Sequence, residues 1–163
     1  MSDATQALKK TCEERADDCA YTSTTFLIWL RWLRIIQGVL LVAPVVSGAF
    51  ATWKILAQTS LIWAAIAALI TTIIPPAYKA LRIEDKIKDY NTRSGEFTNL
   101  RDRFRYLARV TSHQSFEMFD ADTKQIMKRL EAARSNPLTP PEWCFRAAQR
   151  KHKAGHYTYD TTR

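Results

Sequence analysis

Hydrophobic and polar residues in this chain are first segregated into blocks and only then alternate within them. The runs IIQGVLLVAPVVSGAF (35–50) and AAIAALITTII (64–74) are apolar around the whole circumference of any helix drawn through them, and from Ile35 to Tyr78 the only charge is Lys54. Ile35 to Trp53 gives nineteen uncharged residues, and Ile55 to Tyr78 gives twenty-four. A hydrocarbon core about 30 Å thick needs roughly 20 helical residues at 1.5 Å each, so either run is long enough alone. One helix through both would hold Lys54 at mid-bilayer, at a cost of about 2.5–3.5 kcal/mol. A turn over residues 54–60, using Gln58, Thr59 and Ser60, removes that cost. The pattern predicts a transmembrane hairpin within residues 26–78, with spans at about 35–53 and 57–78.

The aromatic residues mark the edges of the same slab. Trp53 and Trp63 flank the turn, Trp29 and Trp32 precede the first span, and Tyr78 closes the second. Amphipathic rings collect at membrane–water interfaces, so these five are candidate anchors. Arg15, Arg31 and Arg34 precede the first span, and Lys79, Arg82, Lys86, Lys88 and Arg93 follow the second, against Lys54 alone in the turn. The positive-inside rule then places both termini in the cytoplasm. Ala49-Phe50-Ala51 resembles a signal-peptidase site, but a leader of that length with an acidic start and a second span behind it does not fit one.

Residues 1–25 form an amphipathic segment on which Leu8, Cys12 and Cys19 share a face. After Lys79 the helical period returns. Ile83, Ile87, Tyr90, Phe97, Leu100, Phe104 and Leu107 recur at three- and four-residue spacing, with Ser94 as the gap, which is a heptad-like stripe. Gly95 costs a helix roughly 1 kcal/mol, which allows a break or a kink at Arg93–Gly95. SFEMFDADTKQIMKRLEAA offers Phe116, Phe119, Thr123, Met127 and Leu130 on one face and is expected to fold back antiparallel after a loop at Thr111–Gln114. Pro137, Pro140 and Pro141 stop that helix, and Pro141 suits the first turn of a last one, EWCFRAAQRKHK. The tail from Gly155 has no period and is expected to be mobile. The fold class is an all-α membrane protein: a hairpin, then a cytoplasmic helical region over 79–163 with an antiparallel return.

Charge changes this picture in one place. The net charge is +8, and residues 101–163 carry thirteen basic against seven acidic groups. A local basic excess implies an anionic partner. Arg101, Arg105 and Arg109 form a row at four-residue spacing, and Arg146, Arg150, Lys151 and Lys153 cluster near the end. Arginine rows bind phosphates, and Phe104 or Tyr106 can stack a base, while a solvated face or lipid headgroups account for the same pattern. No catalytic site is expected. There is no phosphate loop, nucleophile elbow or metal-ligand spacing, and His152 and His156 have Gly155 between them and no acidic ligand nearby. An enzyme, a cofactor and a metal site are not expected. Three cysteines in no framework spacing read as small packing residues.

Within the spans, Gln37, Pro44, Ser47 and Gly48 fall on roughly one face, and Ser60, Ala64, Ala67, Ala68, Thr71 and Pro75 make a small-residue stripe. Small faces let membrane helices approach closely. Packing within one hairpin explains them; so does assembly of several hairpins around a weakly polar face of Gln37, Ser47, Thr71 and Thr72 lining a pore. Two helices enclose no water path, so conduction requires a homo-oligomer, expected here as a tetramer. Pro75 and Pro76 mark either a bend or a hinge at the cytoplasmic exit.

The order of segments resembles the SLATT-domain family of two-transmembrane effectors: an amphipathic start ending near Tyr21, two close spans, a helix running out of the second (AYKALRIEDKIKDYNTRSGEFTNLRDRF), a return helix, and a proline-rich approach to a last helix (NPLTPPEWCFRAAQR). The likeness covers most of residues 10–153 and rests on architecture. It implies a pore-forming effector in the bacterial inner membrane, acting in nucleotide-signalling antiphage defence with a partner nucleotidyltransferase and causing depolarisation. The expected function is therefore a homo-oligomeric ion channel gated by a nucleotide or short oligonucleotide. The alternative is a membrane-tethered adaptor that binds nucleic acid or a protein through its cytoplasmic helices.

Overall fold

The computed structural model describes residues 3–56, 61–135 and 138–154. Five α-helices account for most of them: α1 (Asp3–Leu56), α2 (Leu61–Leu81), α3 (Ile83–Arg109), α4 (Phe116–Arg134) and α5 (Glu142–Lys153), with a short 3-10 turn at Thr111–His113 between α3 and α4. No strand occurs among the described residues. The expected turn residues Gln58, Thr59 and Ser60, the break at Pro137 and the tail from Gly155, with His156, lie outside the described residues.

The chain divides into two compact units, Met1–Trp29 with Tyr90–Arg163, and Leu30–Asp89. The N-terminal segment is therefore not a separate element: α1 is one 54-residue helix that contributes to both units.

In the first unit, α1 meets α3 where the Ser94 hydroxyl donates to the Ser23 carbonyl (3.4 Å), with Phe26 against Tyr90 and Phe97. It meets α4 where Cys12 Sγ lies 3.7 Å from Thr123 Oγ1, and α5 where the Tyr21 hydroxyl donates to the Phe145 carbonyl (2.9 Å). The α3 stripe is the inward face: Tyr90, Phe97, Leu100, Phe104 and Leu107 are all buried. The gap at Ser94 is buried too, because its small hydroxyl admits the backbone of α1. Of the break or kink allowed at Arg93–Gly95, the break does not occur, and α3 runs through. A glycine penalty of about 1 kcal/mol is small beside the burial of Phe97 and Phe104, each worth roughly 1.5–3 kcal/mol. The face of α4 is turned from the expected one. Phe119, Thr123, Ile126, Leu130 and Ala133 are buried, while Phe116 is exposed and Met127 half-buried.

In the second unit, Gln37 Nε2 donates to the Tyr78 hydroxyl (3.1 Å), and the Thr71 hydroxyl donates to the Pro44 carbonyl (3.4 Å). Seven residues further along α1 thus meets seven residues earlier in α2. The same step leads to Ala51 and Ala64, and both are buried. Pro75 and Pro76 remain inside α2, which ends instead at Leu81. The break is Arg82, with φ of 48° in the left-handed region. Its N–H donates to the Lys79 carbonyl (3.2 Å), the closing bond of a left-handed helix cap. Its own carbonyl accepts from Lys86 N–H (3.1 Å) and so starts α3. The helix expected to run straight out of the second apolar run is thus two helices with one residue between them.

Filling the Ser94 gap with a regular heptad residue should destabilise the protein. Ser94→Leu is expected to cost about 1–3 kcal/mol through overpacking against Ser23, read as a lower melting temperature of the full chain in detergent. An unchanged or higher value would mean the close approach is not there.

Candidate functional site

The basic side chains picked out by spacing do not form one open row. Arg101 bonds Asp102 (2.8 Å), and Arg105 lies 3.8 Å from Asp17 on α1, both largely covered. Burial of the α3 stripe brings Arg105 towards α1, Arg101 pairs within α3, and Arg109 at the end of α3 stays exposed. On α5, Arg146 pairs with Glu142 (2.7 Å), one turn apart. Arg150 and Lys153 are exposed and Lys151 half-buried, all in the last turn, where cations complement the helix dipole.

A larger feature lies between α3 and α4. These two helices border a groove of about 1290 Å³, lined from α3 by Gly95, Asn99, Arg103 and Tyr106 and from α4 by Gln125 and Arg129. Glu96 and Asp102 also line it, each bonded to an arginine, Arg93 (2.9 Å) and Arg101. Arg103 and Arg129 belong to no same-face row, so spacing along one helix does not mark them. The available signal was Gly95, whose place mid-helix reads as a break until the helix is seen to continue.

In the second unit the weakly polar residues fall on different sides. Gln37 and Thr71 are turned into the α1–α2 contact, and Ser47 is half-buried. Thr72 is exposed, its hydroxyl bonded back to the Ala68 and Leu69 carbonyls (3.1 and 2.9 Å). The four candidates therefore do not share a face. Around them the surface is apolar: Val39, Val42, Val45 and Val46 on α1, and Ile62, Ile66, Leu69 and Ile73 on α2, are exposed. Trp32, Trp53 and Trp63 are exposed as well, whereas Trp29 packs against Tyr90 and Trp143 within the first unit. The Tyr78 hydroxyl bonds Glu84 Oε1 (2.8 Å) as well as Gln37. Beside it a cavity of about 570 Å³ lies between Leu40, Pro44, Pro75, Lys79 and Arg82.

No three His, Cys, Asp or Glu side chains converge on a possible metal position among the described residues. The three cysteines are free and buried. Burial pushes the Cys19 thiol up to about 11, with Asp18 adding to the shift and Arg134 and Arg15 opposing it. Burial likewise raises Cys12 and Cys144. Thiolate chemistry is therefore suppressed at all three.

No protein-family model, curated protein or solved structure matches the chain.

The thiols give a measurable outcome. Iodoacetamide at pH 7.5 should leave all three unmodified in the folded protein and alkylate all three after denaturation. The stability gained by keeping Cys19 neutral is intact below its ordinary value of 9.0 and is lost as pH rises through about 11. Cys19→Ala should therefore show a shallower fall in melting temperature over that window. A parallel fall would remove Cys19 from the linkage.

Proposed function

We propose that the chain is a two-pass protein of the bacterial inner membrane, with α1 and α2 as a transmembrane hairpin, both termini cytoplasmic, and the helical unit as a sensor. Its function is that of a homo-oligomeric pore-forming effector, gated by a nucleotide or short oligonucleotide and depolarising the membrane in antiphage defence. The defence role rests on the architectural likeness to SLATT-domain effectors.

The membrane reading is supported by what the apolar helices do not bury. Only 6% of the most apolar stretch of the first helix and 11% of that in the second are covered by protein. The core helix of a water-soluble domain is mostly covered. Here a surface of valine, isoleucine and leucine faces outward, which bilayer hydrocarbon accommodates and water does not. Exposed Trp53 and Trp63 stand at one end of the pair and Trp32 and Tyr78 at the other, as interfacial anchors would.

The observation that favours a gated effector over a passive anchor is continuity. α1 carries no break at the boundary between the units, and a single residue, Arg82, separates α2 from α3. A tether functions with one span and a flexible linker. Helical connections without a long linker suit a device that passes a change in the helical unit on to the spans. One observation favours the adaptor: Gln37 and Thr71 are used up inside the pair, which leaves an assembled pore only Thr72 and the half-buried Ser47, of the four candidates, as polar lining.

Liposomes holding the correctly inserted full chain should pass ions in a manner that one nucleotide or oligonucleotide raises or suppresses. Thr72→Phe should change the single-channel conductance several-fold, while Gln37→Leu leaves it unchanged and costs about 1 kcal/mol of stability. Tight liposomes under all ligand conditions would shift the reading to the adaptor. So would full function after both spans are replaced by an unrelated hairpin.

A further inference from the structure

We infer that the groove between α3 and α4 is a binding site for a dinucleotide or short oligonucleotide; this assignment locates the ligand of the proposed function and rests on that reading. Four observations carry it, beginning with charge. Arg93, Arg101, Arg105 and Arg134 are each within 4 Å of a carboxylate, from Glu96, Asp102, Asp17 and Asp18. Arg103 and Arg129, one on each wall of the groove, are exposed and make no ion pair or hydrogen bond in the described structure. The acidic wall residues Glu96 and Asp102 are already matched, so the groove offers two uncommitted guanidinium groups. Such groups bind phosphates through charge-assisted, often bidentate bonds.

Size and the neutral lining narrow the ligand. Sites for single small molecules run to roughly 300–1,000 Å³, and this groove is larger, at about 1290 Å³. One nucleotide underfills it; two or more fit, with a phosphate for each arginine. Tyr106 is 60% exposed at its edge, a large ring without internal packing to explain it and a platform for a base. Asn99 and Gln125 present amides, which read base edges by paired hydrogen bonds. Asp122, the remaining carboxylate of the lining, suits a ribose hydroxyl.

Gly95 supplies the last argument. It is exposed in the middle of a 27-residue helix, and a Cβ built there meets nothing within 4 Å. Alanine would therefore fit and would gain about 1 kcal/mol of helix propensity. No packing among the described residues accounts for the missing side chain. A bare stretch of backbone in the groove lets a ligand approach where a side chain would stand in its way.

The test is calorimetric binding to the full chain in lipid nanodiscs, with cyclic di-adenylate, cyclic di-guanylate and linear di-adenylate as probes and inorganic pyrophosphate as the charge control. At least one dinucleotide should bind, and pyrophosphate at least tenfold more weakly. Arg103→Ala with Arg129→Ala should weaken binding at least tenfold and flatten the dependence of log affinity on log salt by about 1.4, two phosphate contacts at 0.7 each. Gly95→Ala should melt at a higher temperature than the parent. Gly95→Leu should lose affinity while melting no lower. The inference is overturned if none of the probes binds, if the variants bind as the parent does, or if Gly95→Leu changes the size of the assembly and not ligand affinity, which would make the groove a contact between copies. Flux separates the two proposals. Binding in the groove without any ligand-controlled flux overturns the channel and leaves the site. Ligand-controlled flux that survives Arg103→Ala with Arg129→Ala overturns the site and leaves the channel.

Discussion

Polar atoms on an apolar helix pair need partners, and in the second unit two hydrogen bonds between α1 and α2 supply them from within the pair. In hydrocarbon an unmade hydrogen bond costs several kcal/mol, whereas one made in water contributes about 1. Each hydroxyl or amide with a described bond there is closed locally: Thr52 on the Gly48 carbonyl, Thr72 on Ala68 and Leu69, Thr71 on Ala67 and Pro44, and Gln37 on Tyr78. The cross-helix bonds of Gln37 and Thr71 do more than satisfy donors. They pin one register between α1 and α2, at a step of seven residues that also brings buried Ala51 and Ala64 to corresponding positions. A slip of one residue would break both bonds at once. The register is thus held by polar specificity over a background of apolar contacts that would tolerate several alignments.

The first unit solves the opposite problem, since its helices can exclude water from their contacts. It does so with small residues. Cys12, Ala16, Cys19 and Ala20 on α1, Ala108 on α3, Ala133 on α4, and Cys144 and Ala148 on α5 are all buried. Backbones approach closely at such positions, which leaves room for a few large side chains, Phe104 and Phe119 among them, to be fully enclosed. Hydroxyls at these contacts bond to backbone, as Ser94 does to Ser23 and Thr123 does within its own helix to the Phe119 carbonyl (2.7 Å). A thiol among such neighbours is a packing element, and burial keeps it protonated.

Helix identity was legible because periodicity reports it directly. The α3 stripe from Tyr90 to Leu107, the turn at Thr111–His113 and the start of α5 after Pro141 all follow from spacing and proline chemistry. Rotation about an axis was less legible. Phe116 and Ile126 are both apolar residues of α4, and only the packed structure shows that Ile126 is the buried one. Local rules failed where two of them competed: at Gly95 the helix continued because burial outweighed propensity, and at Arg82 it stopped without a glycine or proline to mark the place. The candidate site suffered most. Same-face spacing on one helix selected Arg101 and Arg105, which pair with the adjacent Asp102 and with Asp17 on α1, and overlooked Arg103 and Arg129, which only the pairing of two helices brings to one groove.

Arg82 connects these themes. A non-glycine residue in the left-handed region costs roughly 1–2 kcal/mol. Its exposed pairing with Asp85 (2.8 Å) offsets only part of that, because surface ion pairs contribute about 0–1 kcal/mol. The joint is held by what lies on either side: the cap bond to Lys79, the Glu84 and Asp85 carboxylates at the positive end of α3, and the Gln37–Tyr78–Glu84 chain that ties α1, α2 and α3 together just there. A residual strain near 1 kcal/mol is comparable with the free energy by which a ligand couples two sites, typically 1–3 kcal/mol. On the gated reading proposed above, Arg82 is where a modest input on α3 would reach α2, while Pro75 and Pro76 lie inside α2 and leave its helix unbroken.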